Sequence, residues 1–539
     1  LVTMRWWNDL WLNESFAEYA SHVAMAEATE WTEAWTTFAS GEKSWAYNQD
    51  QMPTTHPIVA EIRDLEDVQV NFDGITYAKG ASVLRQLAAY VGREAFDSGV
   101  AAYFKKFAFK NAVLSDLLSE LEVTSGRDLK AWSAQWLETA GVNTLRSEIH
   151  QDAAGNISGF KILQSAHAEW PTIRDHRMGI GFYDLVDGRL ARTHYVELDV
   201  SGTVTDVTEL VGLKRPALIL LNDGDLAYAK IRLDEQSWKF ALDNLKNFDD
   251  SLARALVWGS AWDATRDGEV NPSDFINLVL GNVEAETQGT ALLTLLRQLM
   301  TTTKLYTSEA LRDETMRKVA ARLLELASKA APGSDGQLLF TRFSTYFTTE
   351  EADIDKLQGL FDGSLVFEGL AIDQEMRWDL INGLVMGGRF GKAEIDAELE
   401  RDNTANGAKQ AMMATTSLPT AADKRAGWLN IINNSELSNT DINFGCMGLI
   451  RAHDTSLLEP IVEWYFDAAM DVWNSRTFKI AEYILRGAYP IYLANKALAD
   501  RTREFAHRPE VAEKPALQRI IFENLDAVER ALKAQAQSH

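Results

Sequence analysis

Residues Trp6-Trp7-Asn8-Asp9-Leu10-Trp11-Leu12-Asn13-Glu14-Ser15-Phe16-Ala17 place three tryptophans within six positions and then run into a helical pattern. Asn13 reads as an N-cap, and apolar residues recur behind it at Phe16, Ala20, Val23, Ala24 and Ala28. Read alone, Glu14 in the first turn of such a helix simply favours the positive end of the helix dipole. Glu14, Glu18 and His22 stand at i, i+4 and i+8 and so share one face. That face could offer metal ligands, but the preferred reading for Glu18 and His22 is a solvated, lightly paired surface. A second string lies downstream, Phe72-Asp73-Gly74-Ile75-Thr76-Tyr77-Ala78-Lys79-Gly80-Ala81-Ser82-Val83-Leu84. By itself it puts Tyr77 at a helix start, where an aromatic most often packs.

Outward from these strings the pattern stays helical to about residue 145. Helical spacing covers 80–91, 94–107, 113–121 and 129–139, with Gly92, Gly126 and Gly141 where helix ends are expected. Between 146 and 235 the texture changes to short period-2 runs at 157–163, 179–185, 194–200, 204–210, 217–221 and 227–233. Turn signals such as Val186-Asp187-Gly188 and Asn222-Asp223-Gly224-Asp225 separate them. About half a dozen short strands with no helical pattern predict a small β-sandwich. From 236 to 539 helical segments of about 10–18 residues succeed one another, divided by Gly, Pro, Asn or Asp, as in a helical solenoid. No clean fixed-period repeat is present. The expected fold is therefore mainly α and multidomain: 1–145 helical, 146–235 a β-sandwich, and 236–539 a large helical, superhelical or HEAT-like domain.

Composition narrows the function. A chain of 539 residues exceeds what one core sustains. With 46% apolar and 24% charged residues it is an ordinary globular sequence, and it holds no apolar run long enough to span a bilayer. A formal charge of −25 argues against nucleic acid as a partner and suits a cationic ligand such as a peptide's free amino terminus. The single cysteine, Cys446, excludes an intrachain disulfide, fits a reducing, cytoplasmic compartment, and reads as a small buried hydrophobe.

The first string resembles the M1 family of zinc aminopeptidases. There a helix bears His-Glu-x-x-His, and eighteen residues separate its second His from the Glu of Asn-Glu-[Gly/Ser]-Phe-Ala. The resemblance makes Glu14 the third ligand of a Zn2+ ion that lowers the pKa of a bound water and polarises the scissile carbonyl. The second string resembles the family's Tyr-x-Lys-Gly-Ala segment, which makes Tyr77 the donor to the developing oxyanion. Lys79 is expected to be structural, as is His56 of Thr55-His56-Pro57-Ile58, another family-like segment. The stretches 174–184, 220–230 and 519–537 are similar to the family's aminopeptidase N group of actinobacterial type. The implied architecture is the helical half of a thermolysin-like catalytic domain, a β-sandwich, and a helical C-terminal domain that encloses the active site. The implied substrates are peptides with a free amino terminus.

The chain departs from the family pattern by what it does not contain. No His-Glu-x-x-His occurs, nor does the Gly-x-Met-Glu-Asn segment that anchors the substrate amine. Thirteen residues precede Glu14, so the second His would fall six residues before Leu1. The reading is a C-terminal fragment, with one ligand of the metal shell, inactive on its own. Two alternatives compete with it: a non-catalytic M1-like scaffold that binds a protein partner through its helical domain, and an epoxide-hydrolysing relative. Glu14 and Tyr77 argue against the scaffold, which has no chemical use for either.

Overall fold

A computed structural model describes residues 1–63, 68 and 71–539 of the chain. The fold is mainly helical and divides into two compact units, Leu1–Ala264 and Thr265–His539.

The first unit begins with β1 (Thr3–Met4), which pairs in parallel with β2 (Asn111–Ala112). A 3-10 turn at Trp7–Asp9 feeds α1 (Leu10–Ala28). The helix thus starts three residues ahead of Asn13, and Asn13 is not its cap. Burial explains the difference: Trp11 and Leu12 are 2% and 3% exposed, and their packing draws the preceding turn into helix while Asn13 faces solvent. Then come α2 (Ala34–Ser40), α3 (Glu42–Gln49), α4 (Gly80–Val91), α5 (Arg93–Lys106), α6 (Leu114–Ser125) and α7 (Lys130–Leu137). Gly92 and Gly126 end α4 and α6 at φ of 89° and 71°, a region open to glycine at no steric cost. Trp11, Tyr19, Phe38, Ile75, Leu84, Phe96 and Trp136 belong to the core these helices share.

Seven strands come next: β3 (Thr144–Gln151), β4 (Ile157–Ser165), β5 (His176–Val186), β6 (Arg189–Val200), β7 (Val204–Asp206), β8 (Leu218–Asp223) and β9 (Lys230–Arg232). They form a four-stranded sheet in the order β7-β4-β3-β9 and a three-stranded sheet in the order β6-β5-β8. All pairs are antiparallel except β3 with β9. Leu145, Phe160 and Ile162 from one sheet meet Met178, Ile180 and Leu221 from the other in a single core. Asp187-Gly188 joins β5 to β6 with both φ angles positive, as a two-residue hairpin of this hand requires.

The second unit is helical among its described residues. Side-chain caps mark many starts: Asn271 on Ser273 with Pro272 between them, Ser334 on Gln337, Asp373 on Met376, Thr404 on Gly407, Ser438 on Asp441 and Asn495 on Leu498. Cys446 is fully buried here, and burial pushes its thiol up to about 12. No helix among the described residues is long and apolar enough to cross a membrane.

Candidate active site

Glu14 lies on α1, in its second turn, half-buried. The helix faces inward along Trp11, Ser15, Tyr19 and His22. His22 is buried among aromatic rings, not on the solvated face expected for it. Its Nδ1 lies 2.9 Å from the Glu18 carbonyl oxygen and 3.4 Å from a Glu18 carboxylate oxygen. Its ring packs edge-on against Phe38, 4.9 Å between centroids, and beside Trp35 at 5.7 Å.

Tyr77 lies in a π-helical turn, Ile75–Lys79, that runs directly into α4. The Lys79 N–H donates to the Gly74 carbonyl at 2.9 Å, the i to i+5 bond of a π turn. Such turns are rare and frequently accompany functional side chains, because the extra residue re-aims the side chains beside it. Asp73 starts the turn: its Oδ1 accepts from the N–H groups of Ile75 (2.9 Å) and Thr76 (3.2 Å). Its Oδ2 lies 2.9 Å from His56 Nε2, and His56 Nδ1 lies 2.7 Å from the Pro57 carbonyl oxygen. His56 therefore serves the Tyr77 segment from behind, as a structural residue. Trp45 stacks on the Tyr77 ring at 6.4 Å, and Phe72 flanks it at 6.1 Å.

The Tyr77 phenol lies within electrostatic reach of the Glu14 carboxylate. Burial first, then the nearby Glu14 carboxylate and the charge of Glu18, push Tyr77 up to about 12. It stays a proton donor across the physiological range. Glu42 is held above the ordinary carboxylate range by burial and by Glu18, with His22 opposing. Glu14, Glu18, Glu42 and Tyr77 thus form one electrostatic neighbourhood.

Lys79, two residues on, points the other way. Fully buried, it pairs with Asp50 at 2.9 Å, and burial brings it down to about 8. Asp50 also accepts from the Gly141 N–H (3.0 Å), the Thr55 hydroxyl (2.7 Å) and the Tyr228 hydroxyl (3.2 Å). This network ties the Tyr77 segment to the start of the β-rich region. Asp50, Asp73 and Ser15 were not singled out by sequence reasoning. Asp73 had a signal, an acidic residue just ahead of a helix start. Asp50 had none.

As a metal site the arrangement is incomplete. Among the described residues no group of three or more His, Cys, Asp or Glu side chains could hold a metal ion. A single carboxylate does not make the three-ligand shell that zinc chemistry requires.

Two family models match the chain. The Peptidase family M1 domain matches residues 1–136, which hold both Glu14 and Tyr77. The ERAP1-like C-terminal domain matches residues 218–530, more than half of the chain. The chain belongs to the M1 peptidase family. Among M1 relatives, Aminopeptidase N of Streptomyces lividans is 47% identical over 545 residues, 99% of this chain and 63% of the relative. Leucyl aminopeptidase of Saccharolobus solfataricus is 43% identical over 149 residues, 28% of this chain and 19% of the relative. Aminopeptidase M1 of Arabidopsis thaliana is 31% identical over 257 residues, 48% and 28% of the two chains. The chain thus spans less than two thirds of the length of these M1 relatives.

Proposed function

We propose that this chain is part of a zinc-dependent aminopeptidase that removes residues from the free amino end of peptides. Glu14 would supply one zinc ligand and Tyr77 the hydrogen-bond donor to the oxyanion of the tetrahedral intermediate. The observation that carries the reading is that Tyr77 and Glu14, sixty-three residues apart in sequence, are brought into electrostatic reach by the Ser15–Thr76 hydrogen bond between their neighbours. A phenol that keeps its proton to about 12 can donate to a carbonyl oxygen as negative charge develops on it. Trp45 and Phe72 hold its ring, and Asp73 with His56 fixes the turn beneath it. The names of these three relatives, each an aminopeptidase, support the same reaction class.

The 539 residues contain no His-Glu-x-x-His. We therefore propose that the chain by itself holds no tight zinc site and does not cleave peptides. The purified chain is expected to contain substoichiometric zinc after dialysis and to leave an aminoacyl fluorogenic substrate uncut. Stoichiometric retained zinc, or turnover above the no-enzyme rate, would overturn this part of the proposal. A cytoplasmic location, proposed from the lone cysteine, is checked by fractionating the source cells.

A further inference from the structure

The helical unit contains a cavity of about 550 Å³, within the size range of small-molecule sites. Its most buried cation is Lys304, 7% exposed. The residue sits in a second π turn, Thr302–Tyr306, which extends the helix Gly289–Thr301. Its Nζ lies over the Tyr492 ring, 5.8 Å from the centroid. Among the described residues it has no hydrogen-bond or carboxylate partner, and burial with the nearby Arg451 brings it down to about 7.

Arg451 is the second such cation. It donates to the Tyr346 hydroxyl at 3.1 Å and stacks over that ring at 4.8 Å, with no carboxylate in ion-pair range among the described residues. The two acids of the cavity are already engaged, because Arg342 holds Asp379 at 2.6 Å and Glu375 at 3.6 Å. Arg451 faces only the Asp379 carboxylate, which Arg342 already holds, and Lys304 has none, so the two adjacent cations are costly in a partly desolvated cavity unless an anion joins them. They stand out further in a chain whose net charge is −25. Tyr346, Tyr492, Phe444 and Met413 supply the surrounding aromatic and apolar wall.

We propose that this cavity binds a small organic oxyanion with an apolar body, its carboxylate or phosphate group held by Lys304, Arg451 and the Tyr346 hydroxyl. The inference is independent of the Glu14–Tyr77 reading, since every residue it uses lies in the helical unit.

Calorimetric titration of the whole chain tests it with three probes: 3-phenylpropionate, phenyl phosphate, and the uncharged 3-phenylpropionamide. Saturable one-site binding of at least one of the two anions, with none of the amide, is expected. The anion that binds more tightly identifies the headgroup. Lys304→Met should weaken that binding by about tenfold or more, the worth of one charge-assisted hydrogen bond. Arg297→Ala, exposed at the cavity mouth, should change it by less than about threefold. If Lys304→Met fails to fold, Arg451→Gln takes its place with the same expectation. The proposal is overturned if neither anion saturates, if the amide binds as well as the acid, or if removing Lys304 or Arg451 leaves affinity unchanged.

Discussion

Ser15 Oγ donates a hydrogen bond of 2.6 Å to the carbonyl oxygen of Thr76. Ser15 adjoins Glu14 and Thr76 adjoins Tyr77, so this one bond locks together the backbones that carry the two candidate catalytic side chains. The approach is close enough to dictate a glycine. A Cβ on Gly80 would stand 1.9 Å from Ser15 Oγ and 2.8 Å from Ser15 Cβ. The Ser of Asn-Glu-Ser-Phe-Ala and the Gly of Lys-Gly-Ala are thus two halves of one helix contact.

Gly80→Ala should therefore destabilise the chain by about 1–3 kcal/mol through overpacking, read from urea denaturation monitored by tryptophan fluorescence. Ser15→Gly combined with Gly80→Ala should recover at least about 1 kcal/mol relative to additivity, because the clash belongs to the pair. Simple additivity would mean that the two helices are not held by this contact.

The influence of Glu14 on Tyr77 should be visible in phenol titration. The absorbance difference between the wild-type chain and Tyr77→Phe is expected to titrate near 12. With Glu14→Gln it should move toward the ordinary value of about 10. Because the native phenol keeps its proton while the unfolded one loses it, this group's stabilisation is complete below about 10 and fades as pH rises toward 12. A Tyr77 titration unmoved by Glu14→Gln would separate the two side chains.

The Asp50–Lys79 pair is 1% and 0% exposed, so breaking it from one side strands a charge. Asp50→Asn should cost about 3–5 kcal/mol. The double variant Asp50→Asn with Lys79→Met should cost clearly less than the two single changes combined. Denaturation midpoints of the three variants decide it; full additivity would contradict the pairing.

Lys304 makes a pH prediction in anion-free buffer. Its folded pKa of about 7 lies below the unfolded value of about 10.4, so between these limits the unfolded chain holds a proton that the native chain has released. This group's contribution to stability is lowest below pH 7 and rises through the window. Relative to wild type, Lys304→Met should be the more stable at pH 6, with the gap closing by pH 10. Melting curves of the two chains across that range check the sign.

Much of the fold could be read from local pattern. The Asp187-Gly188 hairpin, the helix ends at Gly92 and Gly126, and the long helical second half each rest on residues a few positions apart, where periodicity and turn chemistry act. The start of α1 could not, because tertiary burial of Trp11 and Leu12 overrides the local attraction of Asn13 as a cap. The π turn beneath Tyr77 was equally hidden, since it depends on Asp73, Ser15 and Gly80 acting together. The roles proposed for Glu14 and Tyr77 rest on family resemblance, since composition gives a lone Glu and a lone Tyr no special standing. The partners that orient them, His56 with Asp73 and Asp50 with Lys79, are separated by seventeen and twenty-nine residues, and no sequence spacing announces them.

The most direct test is metal analysis with kinetics on the protein expressed from its full source gene, as wild type, Glu14→Gln and Tyr77→Phe. The account predicts one zinc per chain in the wild type, loss of zinc and activity in Glu14→Gln, and retained zinc in Tyr77→Phe with kcat reduced by about 10²–10³. A Glu14→Gln protein that keeps its zinc and cleaves an aminoacyl substrate at the wild-type rate would contradict it.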